Sequence, residues 1–243
     1  MSTKAAFVTT NVLLACLAGG AIGCGKTGID FSAFRKNPRG RKTPSIEDQV
    51  TMLYLGENAD ERREGIVLIS SHPWGLEEPY LARYAELLRD DGDATVRGAA
   101  AMAIGSSGIA KYVGDVAAAL GDKSDRVRWD AAAALDRLVG PGAIDPLREH
   151  AIDDSLTDVR AACAKALRHY KDKRVEQTLI GCLTDEAFAV RYRAHASLVE
   201  IEGRDLGYEP EGWSGRQPVA TRPAEKQPRP WWDWLGVTQG KRQ

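Results

Sequence analysis

The residues best placed to do chemistry in this 243-residue chain are four aspartate–arginine sets at one fixed spacing: Asp91/Arg97, Asp122/Arg128, Asp154/Arg160 and Asp185/Arg191. A carboxylate acts as a general acid or base only where its surroundings hold it apart from a neutralising cation. Nothing in the sequence sets any of these acids apart from its arginine, so all four sets are read as structural. The histidines are His72, His150, His169 and His195, and none belongs to a His-Glu-x-x-His run or pairs with a cysteine at zinc spacing. No metal site is expected. His150 and His169 are placed on surface positions of helices, and His195 between two core-facing alanines, Ala194 and Ala196. Cys163 stands where sister segments carry alanine and Cys182 lies on the next helix. Two buried thiols are expected there, with a disulfide in an oxidising compartment as the alternative. There is no Gly-x-Ser-x-Gly elbow and no phosphate loop. The chain therefore reads as a non-enzyme without cofactors.

These sets belong to elements that repeat. Four segments align without gaps, Asp91 to Ile104, Asp122 to Leu135, Asp154 to Leu167 and Asp185 to Leu198, giving arginine spacings of 31, 32 and 31 residues. Behind each arginine stand Ala100/Ala103/Ile104, Ala131/Ala134/Leu135, Cys163/Ala166/Leu167 and Ala194/Ser197/Leu198. With the preceding valines, that is one apolar stripe of an α-helix. A second set of helices is spelled by Tyr80, Leu81, Tyr84, Leu87 and Leu88, by Val113, Val116 and Leu120, and by Val175, Leu179 and Leu183. A helix pair of this kind cannot bury its stripe alone, so neighbouring pairs must stack.

The spacing Asp-x4-Val-Arg, present as Asp91/Val96/Arg97 and in the three later units, resembles that of HEAT repeats. The resemblance implies an all-α fold, an α-α superhelix of four clear helix pairs plus one degenerate N-terminal unit, over residues 45–203. The degenerate unit is placed with Glu57 and Arg63 in the aspartate and arginine positions. The family's proline in the first helix is matched once, by Pro146, against Arg83, Gly114 and Gln177 elsewhere. The resemblance further implies that Asp91, Arg97, Asp122, Arg128, Asp154, Arg160, Asp185 and Arg191 form a hydrogen-bonded ladder between repeats. It also implies that the second helices line the concave face. Residues 204–213 are expected to cap the last repeat through Tyr208 and Trp213, and Trp74 to close the junction of the first two units.

Charge divides the chain. Residues 25–43 carry a surplus of five positive charges and residues 214–243 a surplus of four, and Lys4 adds one more. The total is −1, so the body, residues 44–213, stands at −11. An acidic body repels a phosphate backbone, and no nucleic-acid partner is expected. At 43% apolar residues the chain is too apolar for wholesale disorder.

The N-terminus reads as an address. Lys4 precedes the uncharged run Val12 to Ala18 and the small residues Gly19, Gly20 and Ala21, the pattern of a secretory signal over residues 1–23. Ala21-Ile22-Gly23-Cys24 resembles a bacterial lipobox, which implies cleavage before Cys24 and diacylglycerol on its thiol. An ordinary secretory signal or an uncleaved anchor is the alternative. Gly25 after the cysteine suggests the outer membrane. Residues 24–44 are then a basic, flexible linker.

Two features are candidates for binding. Trp129 and Tyr192 each follow a ladder arginine, two repeats and so about 20 Å apart. Aromatics there suit a protein or peptide groove, or else cover alanine backbone. The Pro-rich basic tail, residues 214–243, carries the run Trp231, Trp232, Asp233, Trp234 and Leu235. Its tryptophans suit docking on the solenoid, on a partner, or at a membrane interface. The chain thus reads as a monomeric, lipid-anchored envelope adaptor that binds a protein partner. The alternatives are an enzyme or enzyme-assembly factor, as in HEAT-like phycobilin lyases and repair glycosylases, and a passive spacer.

Overall fold

A computed structural model describes residues 44–215, and among them the regular structure is entirely helical. Five helix pairs follow one another: α1 (Ile46–Leu55) with α2 (Ala59–Ser70), α3 (Tyr80–Asp90) with α4 (Ala94–Ser107), α5 (Val113–Ala118) with α6 (Asp125–Leu135), α7 (Ile144–Asp153) with α8 (Thr157–Ala166), and α9 (Lys173–Cys182) with α10 (Phe188–Glu202). A one-turn helix, α11 (Pro210–Trp213), closes the described chain. The second helices α2, α4, α6, α8 and α10 pack on one another in chain order, and α3, α5, α7 and α9 form the other layer. The fold is an α solenoid.

The two layers use different side chains. Side chains such as Leu87, Val116, Leu147 and Leu179 come from the first helices and fill the space between layers, fully or almost fully buried. Each such side chain contributes roughly 1.5–3 kcal/mol by leaving water. The second helices meet through small residues, among them Ala100, Ala101, Ala131, Ala132 and Ala164, all buried. Backbones come so close that a Cβ on Gly105 would lie 2.7 Å from the Cα of Ala134.

Four of the five second helices start the same way. Asp91, Asp122, Asp154 and Asp185 accept, at 2.8–2.9 Å, from the backbone N–H two residues on, at Asp93, Ser124, Leu156 and Ala187. Those four residues are the N-caps of α4, α6, α8 and α10. Leu156 and Ala187 have no side chain able to cap, so the turn aspartate organises the helix start in their place.

Three expectations need correction. The arginine of the first unit is Arg62, not Arg63: Arg62 bonds Asp91, whereas Arg63 is exposed and reaches only Asp60 at 3.3 Å. Its unit therefore has Gly56, not Glu57, six residues ahead, a slip caused by two adjacent arginines on an otherwise degenerate segment. Ala194 is buried, but Ala196 is exposed, so His195 is flanked by core on one side only. His150 is no free surface residue, because its ring Nδ1 lies 3.0 Å from the buried carboxylate of Asp154.

At the far end, Gly203 adopts φ +70° and ends α10 in the left-handed region that glycine tolerates. Tyr208 then stacks on His195 at 4.2 Å, and the Trp213 indole donates to the Gly207 carbonyl at 2.7 Å while presenting an edge to His195. At the junction of the first two units, Trp74 is stacked on His72 and tilted against Tyr80. No described helix is long and apolar enough to cross a membrane.

Candidate protein-binding face

The ladder crosses each repeat boundary in one direction. Arg62, Arg97, Arg128 and Arg160 use Nε and Nη2 to grip both oxygens of Asp91, Asp122, Asp154 and Asp185, at 2.6–3.1 Å. The remaining Nη1 turns back to the carbonyl six residues upstream, at Gly56, Asp91, Asp122 and Asp154. Within one set, then, the arginine bonds the aspartate's backbone, and its carboxylate partner comes from the next repeat. Two parallel charge-assisted bonds fix register as well as energy.

The acids respond accordingly. At Asp122 and Asp185 the bonded arginine is the largest influence and lowers the carboxyl below the ordinary aspartate range against the effect of burial. At Asp91 and Asp154 burial is the largest influence and raises the carboxyl. The arginine, a backbone N–H and, at Asp154, His150 outweigh it, and Asp154 comes down to about 2. These are ionised struts at neutral pH.

Beside the ladder, the exposed surface of the second helices carries the aromatic residues. Trp129 on α6 is 38% exposed, with the Arg126 guanidinium 5.4 Å from its ring centroid. Tyr192 on α10 is 48% exposed and packs at 6.1 Å against Phe188, itself 62% exposed. Arg193 lies over the Tyr192 ring and Arg191 over the Phe188 ring, at 5.8 and 5.7 Å. Arginine on an exposed aromatic face is a common make-up for recognition surfaces.

Two acids on this layer escape a reading by motif. Asp130 is buried, accepts from Arg126 Nε at 2.8 Å, and lies against Gly98 of the preceding repeat so closely that any Cβ there would collide with it. Asp136 is held by Lys165 at 2.7 Å, by His169 at 3.1 Å and by Arg168 at 3.2 Å, all from the next repeat. Burial raises the Asp136 carboxyl, yet its bond to Lys165 and the charge of Arg168 bring it below the ordinary range. Lys165 and Arg168, which the sequence places between the two aromatics, are thus committed to a salt bridge. The only sequence signal for Asp130 was an acid where sister repeats carry Ala99, Ala162 and Arg193.

Cys163 and Cys182 are both free and buried. Burial raises both thiols, that of Cys182 to about 12. Among the described residues no group of three or more His, Cys, Asp or Glu is gathered to hold a metal ion. Cys24, Trp231, Trp232 and Trp234 lie outside the described residues.

The sequence matches the HEAT repeats family over residues 81–168 and 145–207, together more than half of the chain. It is a HEAT-repeat protein. The solenoid also resembles solved structures. The YibA protein of E. coli superposes with a TM-score of 0.53 at 20% identity, covering 63% of this chain and 58% of that one. This HEAT-repeat chain thus spans somewhat more than half the length of that relative. A designed armadillo repeat protein in complex with a (KR)4 peptide superposes at 0.52 with 17% identity, covering 65% and 82%. An engineered protein gives 0.53 at 16% identity, covering 65% and 80%. No curated protein matches the HEAT-repeat chain in sequence.

Proposed function

We propose that this HEAT-repeat chain is a protein-binding adaptor, tethered to the bacterial envelope by lipid on Cys24 and without catalysis of its own. The observation that carries the reading is the pair Trp129 and Tyr192. They stand one residue after a ladder arginine, on the same layer of helices, and are 38% and 48% exposed. Rigid amphipathic side chains of this kind contribute most of the energy in protein interfaces. The designed armadillo relative, solved with a (KR)4 peptide, supports the idea that an architecture of this kind accommodates an extended partner segment. Against an enzyme stands the state of the buried acids on this layer, each of which is held by at least one cation. A general acid or base needs a less compensated group.

The test is an in-cell crosslink and pull-down of the full chain, of a form lacking residues 216–243, and of a Trp129→Ala/Tyr192→Ala form. A stoichiometric partner that survives tail deletion and is lost in the double variant, with thermal stability unchanged, supports the adaptor. Recovery of no partner, or one indifferent to both aromatics, overturns it. Membrane tethering is read separately: Cys24→Ala should move the protein from the membrane to the soluble fraction and abolish the lipid mass on the N-terminal peptide.

A further inference from the structure

The ladder ends one rung short. Arg191 keeps the half of the arrangement that its sister arginines share, with Nη1 donating to the carbonyls of Asp185 at 2.7 Å and Glu186 at 2.9 Å. In Arg62, Arg97, Arg128 and Arg160 the Nε–Nη2 edge holds a carboxylate. In Arg191 that edge meets no acceptor among the described residues. The guanidinium is oriented for a bidentate acid, and a fork fixed in advance loses little freedom on binding one. The cap does not fill the place: Asp205, Tyr208 and Trp213 gather at His195, one turn further along α10.

The rung is bordered by the pair Phe188 and Tyr192. Sister repeats carry Ala94, Asp125 and Thr157 at the first position and Gly98, Trp129 and Ala161 at the second, so two aromatics together occur only at this end. An occupant should therefore combine a carboxylate with large apolar side chains.

The chain carries such a segment. We propose that Asp233, set between Trp231, Trp232 and Trp234, supplies the missing carboxylate to Arg191 while its tryptophans cover Phe188 and Tyr192. The tail holds two acids, Glu225 and Asp233, and Glu225 has no aromatic neighbour in sequence. Asp233 lies eighteen positions beyond Gly215, a tether of up to roughly 60 Å. The whole of α10 is about 22 Å long, so reach is ample. A short tether makes the effective concentration of the segment about millimolar. The surplus of positive charge on the tail meets an acidic body, which adds attraction. The inference does not rest on the adaptor reading, and a partner that contacts Tyr192 would have to displace this segment.

The test is hydrogen exchange of the full chain in detergent, read by mass spectrometry over residues 231–235, for the wild type, D233N, W232A and R191Q. The expected result is at least tenfold slower exchange in the wild type than in each variant, independent of protein concentration. D233N and W232A leave the solenoid untouched, so a loss there cannot come from misfolding of the repeats. Arg204, exposed just after α10, provides a control in R204Q, which should keep full protection. Equal protection in all variants would mean docking elsewhere. Protection that vanishes on dilution would mean a second copy, and none in the wild type would leave the rung to a partner. Each of these outcomes overturns the proposal.

Discussion

Arg160 spans the boundary between two repeats to hold both oxygens of Asp185, at 2.8 and 3.1 Å, while its third nitrogen holds the carbonyl of Asp154 at 2.9 Å. One side chain thereby ties the start of its own helix to the start of the next. The same device recurs at Arg62, Arg97 and Arg128, so the register between repeats depends on a few charged groups screened from water by their neighbours.

Removal of one partner from such a pair should be expensive. Arg97 and Asp122 are 6% and 12% exposed at the side chain. For Arg97→Ala we expect a loss of about 3 kcal/mol, hence a melting temperature lower by about 10 °C, because the carboxylate stays behind without its counter-ion. The corrected register makes a sharper version. Arg62→Ala should destabilise clearly, whereas Arg63→Ala, which breaks only an exposed contact with Asp60, should change stability by less than about 0.5 kcal/mol. Equal effects from the two would refute the assignment of Arg62 to the ladder.

The pH dependence follows from the same acids. Asp154 is lowered in the folded state to about 2, and Asp91, Asp122 and Asp185 shift in the same direction. A depressed carboxyl stabilises the fold above its unfolded value. As the pH falls the unfolded chain takes up protons first, so stability should drain away between about pH 4 and pH 2. Asp154 alone should account for roughly 2 kcal/mol of this change. Urea midpoints measured across that range should fall steeply for the wild type and less steeply for Asp154→Asn, which cannot titrate there.

The repeat architecture was legible because four copies of one pattern reinforce each other, and the stripes Val96/Ala100/Ala103/Ile104 and their sisters are indeed buried. The first unit was not, since a single degenerate copy with adjacent Arg62 and Arg63 offers no register of its own. Pairing across the boundary, Arg128 with Asp154 for example, depends on how repeats stack and cannot be read from spacing inside one repeat. Asp130 and Asp136 were missed for the same reason. Their partners Gly98 and Lys165 belong to other helices, and a lone acid on a helix looks like a solvated surface.

The cysteines give a third prediction. Cys163 and Cys182 are buried as free thiols, and burial holds both well above the ordinary thiol range. At pH 8 the folded protein should leave both unmodified by iodoacetamide over hours, while the urea-unfolded protein alkylates both within minutes. Peptide mapping by mass spectrometry distinguishes these sites from Cys16 and Cys24. Rapid alkylation of either in the folded state would contradict its place in the core.

Glycines test the packing with opposite signs. Gly105 on α4 is buried against α6, where a Cβ would stand 2.7 Å from both the Cα and the Cβ of Ala134 and 3.0 Å from its carbonyl oxygen. Backbone cannot yield as a flexible side chain does, so Gly105→Ala must push two repeats apart, at a cost of about 1–3 kcal/mol. Gly181 on α9 is exposed, and a Cβ there would meet nothing within 4 Å. Its only consequence in the helix is backbone freedom, so Gly181→Ala should stabilise by about 0.5–1 kcal/mol. Thermal or urea unfolding of the two variants beside the wild type decides the matter. Were Gly105→Ala neutral, the second helices would not be in the close contact through small residues on which the stacking of this solenoid depends.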